Sequence, residues 1–419
     1  MAYNRAHEPS RPAHGAPTAR PMPEPPLVAC RAEGNGASDP EMALRRLGAL
    51  VAGRLSPADV PVGEWAHLAT LALEHGLGPM LWYAVNERDP ALAARPVLHP
   101  LLLAALRATA NYASLEQAQR QVEAALTAAG ISCVWLKGIA LARTVYARPG
   151  LRPMCDLDAW IPAEPRLAAL RVMESLGYRW QIEDGALFVG DDALALKMRH
   201  HFYYHYVLWS TVGPKTVVEL HFDLWPALLP QQEASWFWSQ VRREGDADIT
   251  TLSPEAHLLY LCAHAIYQHG EHEAPLLRFF DVHRLVVAGQ PDWGCVLEQA
   301  VRLGWTYAVE RALTQAVHYL GCPVPAYVFD ELRARRPARE VGSPTARGQV
   351  ARWSRLVSAL HHLPTSEQLR VLWRGVFPSR EYMERQYSIG PGQPTWPYYV
   401  CRWYDQGRAM LSWFRGSRL

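Results

Sequence analysis

Trp135-Leu-Lys137-Gly138-Ile-Ala-Leu-Ala-Arg-Thr-Val-Tyr146, followed by Ala-Arg-Pro-Gly-Leu-Arg152-Pro-Met-Cys and then Asp156-Leu-Asp158-Ala-Trp160-Ile161, is the stretch on which the fold turns. An apolar strand ends in Lys137-Gly138, a short helix and a Pro/Gly turn follow, and a second strand opens with Asp156. Side chains alternate faces along a strand, so Asp156 and Asp158 project to the same side. Two carboxylates that close together suit one hard cation and divalent-metal phosphoryl chemistry. A glycine between strand and helix lets the backbone approach a phosphate. The helix start behind it offers unpaired N–H groups, and Lys137 adds a point charge.

Working outward, the chain divides by pattern. Residues 1–39 are rich in Pro, Ala, Arg and Gly without apolar period and read as a disordered tail. Residues 40–130 form a helical region: Leu44, Leu47, Leu50 and Val51 recur at helical spacing, and a long helix over 98–129 ends at Gly130. Strands and helices mix over 131–251, with strands at 131–136, 157–161, 202–210 and 216–224 and a helix over 164–176 capped by Gly177. From 252 to 419 the pattern is helical again, broken by Gly390-Pro391-Gly392-Gln393-Pro394. The fold class is therefore α+β: a small mixed sheet flanked by N- and C-terminal helical regions.

Asp-x-Asp alone is a weak signal, and the chain has a second one, Asp246-Ala-Asp248, after Gly245 in a polar stretch that reads as a turn before a strand. Asp156 and Asp158 differ by context. They border an apolar strand, where a carboxylate meets a desolvation cost unless a cation pairs with it. A third carboxylate is needed for two cations. Glu219, in Val217-Val-Glu-Leu-His221, is the first candidate, and Asp223 on the same alternate face competes with it. His221 could bind a phosphate, orient a carboxylate, or be a buried histidine with a backbone partner.

The bulk properties exclude several classes. The chain has 419 residues, 49% hydrophobic and 20% charged, with a formal net charge of +2, too small to mark a nucleic-acid binder. No apolar run reaches the roughly 20 residues that span a bilayer, and no secretory h-region is visible, so neither membrane nor nucleic acid is expected as a partner. Seven scattered cysteines without a Cys-x-x-Cys pair fit reduced thiols in a cytoplasm. His257, His264, His269, His272 and His283 gather with Asp281 in one helical stretch, but without a His-Asp dipeptide or His-Glu-x-x-His they read as structural. Trp236, Trp238 and the run Phe202-Tyr203-Tyr204 read as core or sheet face rather than a platform for bases.

Leu136-Lys137-Gly138, Tyr146, Arg152-Pro153-Met154 and Asp156-Leu157-Asp158 resemble the bacterial family of uncharacterised nucleotidyltransferases, within the superfamily that shares the DNA polymerase β-like fold. The resemblance extends to Val218-Glu219-Leu220-His221, to His264, His269, Arg278 and Asp281, and to Phe377-Pro378-Ser379-Arg380 with Tyr387, over about residues 40–410. Ile139 stands where the wider superfamily has Ser. The resemblance implies a metal-dependent transfer of an NMP group from an NTP to an unknown small-molecule or peptide acceptor, in a setting associated with natural-product pathways. It implies Asp156, Asp158 and Glu219 as catalytic metal ligands for Mg²⁺ (or Mn²⁺). Lys137, Gly138, Arg152, His221 and His264 would face the nucleotide, with Lys137 and Arg152 neutralising phosphate charge and His264 and Asp281 lining the cleft. Two rival readings share the residues: a catalytically inactive nucleotide- or partner-binding protein, and a metal-dependent hydrolase built on the histidines.

Overall fold

A computed structural model describes residues 39–180, 194, 204–224, 231–245, 247–269, 274–337, 360–361, 363–387, 389–390 and 393–404. The tail over 1–38, His272, Phe202, Tyr203, Asp246, Pro391 and Gly392 lie outside the described residues.

Five helices come first: α1 (Pro40–Val51), α2 (Trp65–Glu74), α3 (Gly78–Arg88), α4 (Pro90–Ala93) and α5 (His99–Ala128). Helix α5 stops where Gly130 takes φ +72°, a left-handed conformation that costs glycine no side-chain clash. The chain then enters the sheet through β1 (Val134–Leu136), α6 (Lys137–Thr144) and β2 (Asp156–Trp160). Helix α7 (Arg166–Ser175) and strands β3 (Tyr178–Trp180), β4 (His205–Ser210) and β5 (Val217–His221) complete it. The spatial order is β1-β2-β5-β4-β3. Only β2 and β5 run parallel; the other neighbours are antiparallel. The architecture is α+β, a small mixed sheet between helical regions, as the sequence pattern predicts. Strand β3 escapes a reading by alternation because it is only three residues long.

Helix α8 (Gln231–Ser239) leads into a separate two-stranded ribbon, β6 (Val241–Glu244) and β7 (Ile249–Leu252). Asp248 sits in the turn between them at φ +48°, so the second Asp-x-Asp ends in a turn. Further helices are α9 (Pro254–Ala263), α10 (Leu276–Gly289), α11 (Trp293–Leu303), α12 (Thr306–Leu320), α13 (Ala326–Ala334), α14 (Thr365–Val376) and α15 (Arg380–Tyr387). Helix α9 runs directly into a π-helical turn, His264–Gln268. Among the described residues no helix is long and apolar enough to cross a membrane.

The two faces of the sheet belong to different cores. Trp135, Leu157, Ala159, Val218 and Leu220 pack with Leu115, Val122 and Leu126 of α5, Ile139 of α6 and Met173 of α7. Val134, Leu136 and Trp160 point the other way and join a core built from helices that precede and follow the sheet in sequence, including Leu68, Leu81, Tyr260, Phe280 and Leu313. Trp160 stacks on Trp238 at 3.8 Å between ring centroids, so this aromatic pair is packing, as its sequence context predicts. Asp156 and Asp158 share the alternate face with Trp160, which aims them at the side of the sheet where the later helices lie.

Candidate active site

The register of β2 against β5 sets Asp158 beside Glu219 and Asp156 beside Val217. Alternation then places Asp156, Asp158, Glu219 and His221 on one face. One ligand atom each from Asp158, Glu219 and His221 lies within 4.8 Å of the others. His221 Nε2 lies 3.0 Å from Asp158 Oδ1 and 3.3 Å from Glu219 Oε2, so the imidazole bridges two carboxylates rather than waiting for a backbone partner. Asp223 falls beyond the end of β5, its backbone N–H donating to the carbonyl of Tyr204, and the strand register sets Glu219 beside Asp158.

Lys137 lies in the same cluster. Its Nζ donates to Asp158 Oδ1 at 2.7 Å, with the two side chains 12% and 4% exposed. Burial works against ionising Asp158, but the Lys137 ammonium and the His221 hydrogen bond outweigh it and hold this carboxyl well below the usual carboxylate range. Burial is likewise overcome at Lys137, raised by the charge of Asp158, and at His221, raised by its hydrogen bonds to Asp158 and Glu219. Glu219 is held low, the His221 hydrogen bond winning over burial. Asp156 behaves in the opposite way. Burial, then the charges of Asp158 and Glu219, push it up to about 6. Burial and the two neighbouring carboxylates thus disfavour a charge on Asp156, and Lys137 and Arg152 offset them only in part.

In the turn between β1 and α6 the left-handed residue is Lys137, at φ +41°. A side-chain-bearing residue there is strained by about 1–3 kcal/mol, a cost that recurs where a site over-determines the backbone. The Lys137 backbone N–H donates to His257 Nε2 at 3.2 Å, so this helix-start donor is used inside the protein. Gly138 is needed for another reason. A Cβ there would meet Arg152 Nη1 at 2.9 Å and Met154 Cβ at 3.4 Å, so the space over the glycine holds protein rather than a phosphate.

Arg152 is likewise committed. Its Nε and Nη2 grip Asp281 Oδ1 and Oδ2 at 2.9 and 2.8 Å, and Nη1 donates to the carbonyl of Pro153. Tyr146 donates to the same carboxylate at 2.7 Å. This buried triad ties the loop before β2 to α10. Arg152, expected to neutralise a phosphate, and Asp281, expected to line a cleft, are here paired with each other. The described histidines divide. His257 supports the Lys137 backbone and, chiefly by burial, is depressed to about 4. His283 is also depressed to about 4, by burial first, and stacks obliquely on Phe280. His264 lies in the π-turn with its Nδ1 3.3 Å from Arg278 Nη1, and burial holds it well below the usual histidine range.

The sequence model of one family, described as Uncharacterised nucleotidyltransferase, matches residues 61–321. The chain belongs to this nucleotidyltransferase family. Comparison with curated proteins and with solved structures gives no match. The matched span holds the whole acidic cluster, the Lys137 turn, the Arg152–Asp281 triad and Arg278, and the chain is accordingly a nucleotidyltransferase enzyme. Of its candidate site residues, the structure brings together Lys137, Asp156, Asp158, Glu219 and His221. Gly138 and Arg152 form the layer beneath, and His264 stands on the helical side. Sequence reasoning alone gave His257 no role in the turn; a histidine flanked by apolar residues in α9 is the one signal that could have raised it.

Proposed function

We propose that this enzyme moves a nucleotidyl group from an NTP to an acceptor hydroxyl, amine or phosphate on a DNA polymerase β-like core, with Asp156, Asp158 and Glu219 as its catalytic carboxylates. The reading rests above all on one observation: Asp158 and Glu219 stand side by side on parallel strands, with Asp156 two residues before Asp158. The donor set fits a hard divalent cation. It offers clustered carboxylate oxygens from Asp158 and Glu219, it already attracts the Lys137 ammonium, and after burial the charges of these two carboxylates raise Asp156. His221, donating to two carboxylates, serves as their orienter rather than as a ligand.

Mg²⁺ (or Mn²⁺) held by Asp156, Asp158 and Glu219 would supply neutralisation of the triphosphate and of the charge that builds in the transition state. The protein's own groups do the rest. Lys137 and His221 keep Asp158 ionised. The Arg152–Asp281–Tyr146 triad fixes the loop that delivers Asp156. Lys137, beside Asp158, would supply a cation for the phosphates. The acceptor atom bonds to the α-phosphorus as the bond from that phosphorus to the bridging β-oxygen breaks. Pyrophosphate leaves, and the acceptor's proton passes to a carboxylate of the cluster. Positioning and electrostatics carry the rate, with no covalent enzyme intermediate. We place the reaction in the cytoplasm, in line with six free cysteines among the described residues, and take the acceptor to be a small molecule or peptide of a natural-product pathway.

The test is pyrophosphate release from each of the four NTPs with extract of the source cell as acceptor. Asp158→Asn is expected to lower release at least 100-fold, about 3 kcal/mol of lost transition-state stabilisation. NTP binding without pyrophosphate release across the whole panel contradicts the proposal.

A further inference from the structure

A second cluster faces the acidic one from the helical side, and its chemistry is opposite. Helix α9 widens into the π-turn His264–Gln268, a rare geometry that recurs at functional sites. The turn delivers His264 and, just past it, His269, whose rings meet edge to face at 4.8 Å. Arg278, in the first turn of α10, places Nη1 3.3 Å from His264 Nδ1.

Two polar atoms of this cluster, Arg278 Nε and His269 Nε2, are buried without a hydrogen-bond partner. No carboxylate forms an ion pair with Arg278 among the described residues, although Asp281 is only three positions away on the same helix. Both oxygens of Asp281 are taken by Arg152, and one also by Tyr146. Leaving a guanidinium largely out of water and unpaired is costly, so the arrangement calls for an anion from outside the chain. The available groups are donors: the Nε edge of Arg278, suited to two oxygens of one phosphate, and an imidazole N–H of His269.

The cluster is electrostatically coupled to the acidic one. Burial lowers Arg278; the charge of Asp281 works against this and that of Arg152 adds to it, and the charges of Asp158 and Asp156 also reach it. Burial, then the charges of Arg278 and Lys137, depress His269 to about 4, with Glu219 acting in the other direction. Both imidazoles are thus neutral near pH 7, and Arg278 supplies the positive charge.

We infer that Arg278, with His269 and His264, binds the terminal phosphates of a polyphosphate: the β,γ-diphosphate of a donor NTP, and pyrophosphate once transfer is complete. The assignment rests on the reading that the donor triphosphate lies at the acidic cluster. It deepens that reading by giving the leaving group its own receptor on the helical half of the protein, separate from the carboxylates on the sheet.

Isothermal titration of the full chain with inorganic pyrophosphate in EDTA tests it, with NTP and NMP titrated in parallel. Wild type is expected to bind pyrophosphate. Arg278→Gln is expected to weaken pyrophosphate and NTP at least tenfold and to leave NMP within twofold, while Arg278→Lys recovers part of the loss. The melting temperature of Arg278→Gln is expected to hold or rise, because a buried unpaired charge is gone; a structural arginine would give a fall. Pyrophosphate binding unchanged in Arg278→Gln, or NMP and NTP weakened equally, overturns the inference. Arg278-dependent pyrophosphate binding without nucleotidyl product from any NTP leaves this inference standing and sinks the transfer reaction instead.

Discussion

Asp156→Asn probes the cost of holding a charge at the edge of the acidic cluster. Burial and the charges of Asp158 and Glu219 raise the Asp156 carboxyl from 3.8 to about 6. At about 1.4 kcal/mol per tenfold change in proton affinity, ionising it in the folded protein costs about 3 kcal/mol. The side chain is only half-buried by accessibility, and solvent screening trims the figure to about 2 kcal/mol. The sign follows from the direction of the shift. The folded state holds this proton more tightly than the unfolded chain, so its contribution is fully present below about pH 4 and is lost as pH rises through about 6. Asparagine keeps the shape and removes the charge. Urea unfolding in EDTA is therefore expected to find the variant about 2 kcal/mol more stable than wild type at pH 7.5, with the difference vanishing near pH 4. Added Mg²⁺ is expected to stabilise wild type and to do less for the variant. A variant equal to or weaker than wild type at pH 7.5 in EDTA refutes the claim that burial and the neighbouring carboxylates penalise a charge on Asp156.

The same proton affinity sets the pH dependence of metal binding: the Mg²⁺-induced rise in melting temperature is expected to be larger at pH 7.5 than at pH 5, because below about 6 the ion competes with a proton on Asp156, and equal rises argue against Asp156 as a ligand. Arg152→Gln leaves Asp281 buried beside Tyr146 without its cation, with an expected loss of about 3–5 kcal/mol in urea unfolding. The double variant with Asp281→Asn is expected to recover part of that loss, whereas simple additivity would deny that the two act as a pair. Gly138→Ala pushes a methyl against the Arg152 guanidinium and Met154, with an expected cost of about 1–3 kcal/mol and a matching fall in activity; a neutral result would show that the layer under the turn yields.

Much of the fold was legible because its signals are local. Alternation in Val217–His221, the terminating Gly130 and the apolar period of α5 and α12 all act within one element, and each element forms where its pattern lies. The aspartate pair was legible for the same reason: period two fixes Asp156 and Asp158 on one face whatever surrounds them. The choice of Glu219 over Asp223 was not, because both lie on the alternate face and only the pairing of β2 with β5 decides between them. Arg152 and Gly138 show the other limit. Each carries the residue type that phosphate binding would want, and the sequence does not reveal that Asp281, 129 positions later, closes on the guanidinium or that this guanidinium fills the space above the glycine. Nor does composition signal that Lys137 takes the left-handed conformation and gives its backbone N–H to His257 of α9.

The measurement closest to the central claim is Mn²⁺ binding followed by electron paramagnetic resonance on wild type, Asp158→Asn and Glu219→Gln, with Asp223→Asn as the control. Wild type and the Asp223 variant are expected to bind alike, while the Asp158 and Glu219 variants each lose at least tenfold in affinity. Undiminished Mn²⁺ binding by Asp158→Asn and Glu219→Gln would contradict a metal centre built across the β2–β5 pair.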